Sequence, residues 1–328
     1  MRHVVPPTLS RRAVVAAGLA SLWALPTFAQ DYPTKPIRLI VGYASGGGVD
    51  YTARVIAPRL ADALNVPVVI DNRAGASGVI GSDHVAKSAP DGYTLVFAPA
   101  SAMVTTPQAT ARPPYNTLTD FAPVNLVGQS PLLIAVHPSL GVRSLKELIK
   151  LSQTRSISFA SAGAGGMTHF VIEMLNQASN GNIVHVAYKG GAPAIVDAVA
   201  GHVQGVVADF PPLLPMFKDQ RLIPLAVTSE ARAEFLPDVP AANEDVPGFV
   251  AQSWYGIFAP AKTPRVVIDK LNAALGTVLS REDVRDQMRK GAVVPATTAS
   301  PAAFQKFVAD DYARWGKLVR DRNLVNAN

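Results

Sequence analysis

The residues of this chain that could do chemistry lie in four loops of small residues, each of which follows an apolar run. The loops span residues 43–49, 72–78, 161–168 and 188–192. A small-residue loop that opens a helix leaves backbone N–H groups unpaired at the positive end of the helix dipole. Such groups can receive a carboxylate or a phosphate without a buried arginine. The loops therefore predict an anion-binding site, although tight turns alone also account for glycine-rich loops.

Common enzyme motifs are incomplete in these loops. Residues 75–78 are one residue short of a G-x-S-x-G nucleophile elbow. Residues 163–168 end in threonine where the dinucleotide fingerprint needs a small residue, and no G-K-S/T phosphate loop exists. The six histidines show no metal-ligand spacing, so no metal site is predicted.

Two side chains near the loops could either contact a ligand or serve only the fold. His169, close to Ser161 in sequence, is either a ligand contact or a hydrogen-bonded helix residue. Asp209 ends the apolar run 205–208, and a carboxylate there either faces a cleft or caps a turn. A secreted hydrolase with Ser161 or Ser77 as nucleophile is an alternative that would draw on this histidine and aspartate, but no nucleophile motif supports it.

One arrangement of elements, used twice, must position the loops. An apolar β-type run enters each loop, and apolar residues at three- and four-residue spacing follow it. Strand–loop–helix units of this kind predict right-handed crossovers and mostly parallel sheets. The predicted strands are 37–41, 66–70, 94–98, 157–160, 183–186 and 203–208, and the predicted helices include 167–178, 192–200, 267–279 and 300–322.

Two such sets predict two α/β lobes. The runs 132–136 and 253–259 carry the chain into the second lobe and back, so two strands form a hinge that suits opening and closing around a ligand. The helices after residue 264 are expected to pack on the first lobe. Because loops at the carboxyl ends of parallel strands line the ligand crevice, the four loops should face one cleft, two from each lobe.

Composition narrows the function class further. At roughly 150 residues per domain, 328 residues suggest about two domains, and 48% hydrophobic residues suffice for their cores. The absence of cysteine excludes disulfide scaffolds, thiol nucleophiles and cysteine-ligated metal sites. Residues 1–29 carry three arginines and no acid, so removing them lowers the net charge from +6 to +3. No basic run or basic–aromatic pattern remains, and nucleic-acid binding is not predicted.

The pattern of residues 1–29 predicts an export signal. Arg11 and Arg12 precede an apolar run at 13–25, and a small-residue exit ends at Ala29, near which cleavage is expected. The run is shorter than the roughly 20 residues that span a bilayer, so a retained anchor is the weaker alternative. The arginine pair leaves twin-arginine and general secretion both open. The mature protein is predicted to be soluble and exported.

Motifs along the whole mature chain resemble the Bug or TctC-type solute receptors of tripartite tricarboxylate transporters. They lie, in family order, at residues 32–41, 46–50, 71–78, 89–94, 120–124, 159–163, 169, 188–194, 225–229, 236–240 and 254. The resemblance implies a periplasmic binding protein-like α/β fold of type II, with two Rossmann-like lobes joined by a two-stranded hinge. Lobe 1 would comprise residues 30–130 plus 254–328, and lobe 2 residues 131–253.

The resemblance also implies what the protein does. A receptor of this family closes in the periplasm on a small carboxylated solute, held by backbone amides and hydroxyls, without cofactor or catalysis. It delivers the solute to membrane permease subunits of the TctA/TctB type, and some members signal to a sensor kinase instead, which the sequence leaves open. The predicted ligand contacts are Tyr43, Ala44, Ser45, Gly47, Gly48, Val49, Arg73, Ala74, Gly75, Ala76, Ser77, Gly78, Ser101, Ser161, Ala162, Gly163, Gly166, Met167, Thr168, His169, Lys189 and Asp209.

The loops depart from the family pattern at several positions. Ser45 and Ala74 stand where proline is usual, Val49 where threonine is usual, and Ser77 where glycine is usual. Gly166 and Met167 stand where small hydroxyl residues are common. The loops thus lose hydroxyls at Val49 and Met167 and gain them at Ser45 and Ser77. These changes should alter where polar groups contact the ligand. The hypothesis is a ligand less polar than a tricarboxylate, such as an aromatic or branched monocarboxylate.

Overall fold

The structure is a computed structural model that describes residues 32–297, 300–321 and 325. The predicted export signal, residues 1–29, lies outside the described residues. Among the residues that are described, no helix has the length and apolar character needed to cross a membrane.

The strands are β1 (Ile37–Val41), β2 (Val68–Asn72), β3 (Thr94–Pro99), β4 (Phe121–Val136), β5 (Ile157–Ser161), β6 (Ile183–Ala187), β7 (Gly205–Asp209), β8 (Ile223–Val227), β9 (Gln252–Pro260) and β10 (Val294–Pro295). The helices are α1 (Gly48–Leu64), α2 (Val79–Ala86), α3 (Thr106–Ala109), α4 (Thr117–Asp120), α5 (Leu145–Ser152), α6 (Met167–Ser179), α7 (Gly191–Val199), α8 (Leu214–Lys218), α9 (Ala242–Asp245), α10 (Arg265–Ser280), α11 (Glu282–Lys290) and α12 (Pro301–Asp321). A 3-10 turn at Ala76–Gly78 precedes α2, and a π-helical turn at Ser101–Thr105 follows β3.

The strands form one sheet in the order β2-β1-β3-β9-β4-β7-β5-β6, with β8 and β10 both paired to β4. β1 pairs in parallel with β2 and β3, and β5 pairs in parallel with β6 and β7. The antiparallel pair β4 and β9 joins these two parallel blocks. The order confirms the predicted fold class, two α/β lobes connected by two strands.

Strand β4 passes from one lobe to the other at a single point. It pairs with β9 as far as Pro131, which faces Gln252, and it pairs with β7 from Leu132 onward. Buried Thr228 accepts a hydrogen bond from the Leu132 N–H at 2.9 Å, so the backbone polar groups at the exchange are satisfied.

Each lobe has apolar packing on its sheet faces. Helix α10 buries Val267 and Leu271 in the same cluster as Ile37 of β1, as expected for the first lobe. Helix α12 differs from its prediction because it reaches both lobes. Its Trp315 packs against Phe170 of α6, in the second lobe, with ring centroids 6.2 Å apart. The helical period predicted α12 but could not indicate which of two lobes its apolar face would cover.

Candidate functional site

The first loop turns sharply from β1 into α1 and is held by one buried acid. Asp50, 1% exposed, accepts hydrogen bonds from the Gly46 N–H at 2.9 Å, from Arg54 at 2.8 Å and from Asn72 at 2.9 Å. Burial alone would raise the pKa of Asp50, but these hydrogen bonds outweigh it and hold the pKa below its ordinary value. The ionised carboxylate therefore fixes the loop that opens α1.

The start of α1 carries unpaired donors, as the loop pattern predicts. Gly47 caps the helix without a side-chain bond, and the N–H groups of Gly48 and Val49 are bonded to no acceptor among the described residues. Ser45 does not join them. It is exposed, its hydroxyl is bonded to Asp50 and Arg54, and it does not line the cavity between the lobes, so its contact with a ligand stays a prediction.

The second loop reaches across to the other lobe through Ser77. Its Oγ donates to the Ala164 carbonyl at 2.7 Å, and Ser77 itself has a left-handed φ of 51°. Tyr43 donates its hydroxyl proton to the Ser77 carbonyl and so fixes the turn. Arg73 instead pairs with Asp71 at 3.0 Å, and both side chains are partly exposed. A carboxylate two residues away thus already binds the guanidinium, and the contact of Arg73 with a ligand stays a prediction.

The third loop leads from β5 into α6 and crosses to the first lobe twice. The Met167 N–H donates to Ser101 Oγ at 3.0 Å, and Thr106 donates to the Gly165 carbonyl at 3.1 Å. Thr168 Oγ1 accepts from the Ala162 N–H at 3.1 Å, which closes the loop over the helix start. The N–H of Thr168 is bonded to no acceptor among the described residues. α6 therefore presents a second helix start toward the same space as α1.

Behind this loop two histidines stack, and the sequence reasoning considered only one of them. His169 accepts from the Gly165 N–H at 3.0 Å, lies 3.4 Å from Glu173, and stacks on His185 at 3.8 Å. His185 Nε2 lies 2.6 Å from Ser161 Oγ. Burial, with a smaller contribution from His169, lowers the pKa of His185 to about 4, so its ring is neutral near pH 7. His169 is thus hydrogen-bonded within its own loop and helix, and its contact with a ligand stays a prediction.

The fourth loop faces the first across the gap between the lobes. A Cβ built on Gly47 would lie 3.6 Å from the Ala192 nitrogen, and one built on Gly190 would lie 3.1 Å from the Ala44 nitrogen. Lys189 is exposed and does not line the enclosed space. The loops of the two lobes are in contact, so the structure is a closed form.

The loops enclose a cavity of about 10 Å³, roughly the volume that one water occupies. Nine predicted contacts line it: Tyr43, Val49, Ser77, Ser101, Ala162, Gly166, Met167, Thr168 and Asp209. Apart from Asp209, none of its lining residues is acidic or basic. A small anion here would be bound by the N–H groups of helix starts and by hydroxyls, because no positively charged side chain lines the cavity.

Comparisons with known proteins agree with this geometry. Residues 52–324 match the TctC model, described as the tripartite tricarboxylate transporter family receptor. The chain belongs to the TctC family. It is 36% identical over 312 residues to the protein BugT of Bordetella pertussis, with 94% of each chain covered. The structure of the periplasmic binding protein BugD is similar with a TM-score of 0.87 and 31% identity, covering 90% of this chain and 100% of that one. An R. palustris protein solved with adipate has a TM-score of 0.84 and 33% identity, with coverage of 88% and 98%.

In this TctC-family receptor, thirteen of the predicted contacts do not line the cavity. They are Ala44, Ser45, Gly47, Gly48, Arg73, Ala74, Gly75, Ala76, Gly78, Ser161, Gly163, His169 and Lys189. Many of them shape the backbone: Gly78 has a φ of +91°, and a Cβ on it would lie 2.6 Å from the Tyr43 ring. The sequence reasoning missed Pro99, Leu132 and Ser253, which also line the cavity. Leu132 and Ser253 are the first residues of the predicted hinge runs, and their place at the hinge could have indicated that they lie next to the cleft.

Asp209 faces the cavity from the end of β7. Its Oδ1 accepts a hydrogen bond from the Tyr255 hydroxyl at 2.8 Å, across the lobes. Burial raises the pKa of Asp209, and the Tyr255 hydrogen bond opposes that rise only in part. Of its two predicted placements, the cleft-facing one is correct.

The hydrolase alternative is not supported by the contacts of its residues. His169 binds Gly165 and approaches Glu173, whereas Asp209 binds Tyr255, so the predicted nucleophile–histidine–aspartate set is not assembled. Ser77 donates to a carbonyl and is 4% exposed. No group of three or more metal-ligating side chains occurs in the part of the chain that the structure describes.

Proposed function

We propose that this TctC-family receptor captures a small carboxylate-containing solute between its lobes in the periplasm and passes it on without turnover. The observation that carries the proposal is the convergence of two helix starts, at Val49 and Thr168, on one space between the lobes. At about 10 Å³ this space is smaller than a carboxylate solute, so we propose that the lobes close less far around a bound solute than they do here. Their free N–H groups and aligned dipoles stabilise a carboxylate. A TctA/TctB-type permease pair in the membrane is the proposed recipient.

The cavity walls favour a solute with an apolar body. Val49, Leu132 and Met167 are at most 4% exposed and present hydrocarbon or thioether surface to the cavity. The adipate of the R. palustris relative combines carboxylates with an apolar chain. We therefore propose an aromatic, branched or chain-like carboxylate rather than a tricarboxylate.

The proposed mature protein begins at Gln30, after cleavage of the export signal near Ala29. We propose lobes at residues 30–130 plus 254–328 and at 131–253. The exchange of β4 from β9 to β7 at Pro131 and Leu132 supports this division.

Thermal unfolding of residues 30–328 with a panel of acids and their amides tests the proposal. Adipate, 4-methylvalerate, benzoate and citrate represent chain-like, branched, aromatic and tricarboxylate solutes. A solute at about 100 times its Kd stabilises the protein by about 2.7 kcal/mol, a shift of a few degrees. Shifts with acids but not with amides support carboxylate capture at the helix starts. Equal shifts with acids and amides, or the largest shift with citrate, would contradict the proposed recognition.

A further inference from the structure

The one acid in the cavity lining, Asp209, stands in a place where a negative charge is hard to hold. The residue is 9% exposed, and no lysine, arginine or histidine bonds to it among the described residues. The titratable groups that face it are the hydroxyls of Tyr255, from β9, and Tyr43, from the loop after β1. Burial raises the pKa values of both tyrosines, so they stay neutral. Asp50 on α1 is ion-paired with Arg54 and does not line the cavity.

The two oxygens of Asp209 have different surroundings. Oδ1 accepts a hydrogen bond from the Tyr255 hydroxyl, whereas Oδ2 receives no hydrogen bond from any described residue. Asp209 lies against the start of α1: a Cβ built on Gly48 would lie 3.0 Å from Oδ2. Oδ2 thus lies beside the helix start at which the proposed function places a solute carboxylate.

Two carboxylates at short range in one buried cavity repel strongly, which disfavours the state in which both are ionised. The solute carboxylate can accept hydrogen bonds from the free N–H groups of both helix starts, whereas Asp209 receives one hydrogen bond, from the Tyr255 hydroxyl. We propose that Asp209 is protonated in the closed receptor and donates its proton from Oδ2 to an oxygen of the bound carboxylate. Asp209 is then a specificity-determining contact, and binding takes up a proton when the open receptor carries Asp209 ionised.

The inference rests on the proposed carboxylate function, but its main test needs no solute. The chain has no cysteine, and a Cβ on Gly46 would lie 3.8 Å from Ala192 Cβ, a spacing that suits a disulfide. Gly46→Cys with Ala192→Cys would lock the lobes closed. Because Gly46 has a φ of +86°, the cysteine strains the loop, so the oxidised fraction is separated from free-thiol protein on a thiol-reactive resin.

Infrared spectra of the oxidised protein at pH 7 then report the protonation state directly. We expect the C=O stretch of a protonated carboxyl, lost in the same protein with Asp209→Asn. Tyr255→Phe should keep the band and move it to higher frequency, because it removes the hydrogen bond to the C=O oxygen. No such band, or one that survives Asp209→Asn, would overturn the inference.

Proton uptake provides a second measurement, with adipate as the probe. Calorimetric titration at pH 7 in two buffers of different ionisation enthalpy should show close to one proton taken up per adipate bound by the wild-type protein, and none by Asp209→Asn. Binding without uptake by wild-type protein whose infrared spectrum shows Asp209 ionised before adipate is added would overturn the inference. If adipate does not bind, adipate is not a solute of this receptor, and the infrared result decides the state of Asp209 alone.

Discussion

Closure of the lobes depends on a glycine at residue 48, and Gly48→Ala tests this. A Cβ on Gly48 would lie 2.3 Å from Asp209 Cβ and 2.9 Å from its Cγ, in the opposite lobe. Carbon atoms pack at about 3.5 Å or more, so the lobes would have to separate by roughly 1 Å at this point. Side-chain rotation cannot relieve the overlap, because both Cβ atoms are fixed to backbone. The closed form should therefore be lost while each lobe stays folded.

The expected result separates closure from stability. Replacing a helical glycine by alanine stabilises the helix by roughly 0.5–1 kcal/mol, so unliganded Gly48→Ala should unfold no earlier than the wild type. The thermal shift of a few degrees with the best acid of the panel should disappear. Small-angle scattering should show that this acid contracts the wild type but not the variant.

Gly191→Ala is the matched control. Gly191 also begins a helix at the lobe interface, but a Cβ there meets nothing within 4 Å. This variant should keep the full shift and the contraction. A full thermal shift in Gly48→Ala, or an equal loss in both variants, would refute the closure argument.

Three further predictions concern the loops and the histidine pair. Ser77→Ala removes a hydrogen bond between the lobes worth about 0.5–1.5 kcal/mol, so calorimetry should show roughly 2- to 10-fold weaker solute binding, with Ser88→Ala unchanged. Val49→Thr adds a hydroxyl to the cavity without changing the side-chain shape, so the ratio of the Tm increase with citrate to that with adipate should rise. Val69→Thr, at an exposed site, should leave this ratio unchanged. The pKa of His185 is lowered from its ordinary value of 6.5 to about 4 in the folded protein. The stability that the neutral ring contributes should therefore be complete above pH 6.5 and be lost as the pH falls toward 4. His185→Gln should flatten that part of the curve of unfolding free energy against pH, measured with denaturant.

Local patterns were sufficient to predict most elements. The bounds of β1 match the predicted 37–41, and α6 begins at Met167 as predicted, because apolar period and small-residue loops are properties of neighbouring residues. The prediction for β2 began two residues early, at 66 instead of Val68. Pro67 lies between the two starts and has no N–H for the ladder. The apolar periodicity and the small-residue loops together predicted which loops would meet at the cleft.

Only the packing of the two lobes decided which loop residues line the cavity. Ser45 and Arg73 have suitable chemistry, but acids folded against them bind their side chains first. The sequence carried no signal that Gly48 lies against Asp209, which is 161 positions away along the chain. Such contacts depend on how two rigid bodies close, and side-chain direction in a loop depends on neighbours distant in sequence. That is why the sequence indicated an anion-binding cleft, while the tertiary structure placed a buried acid within it.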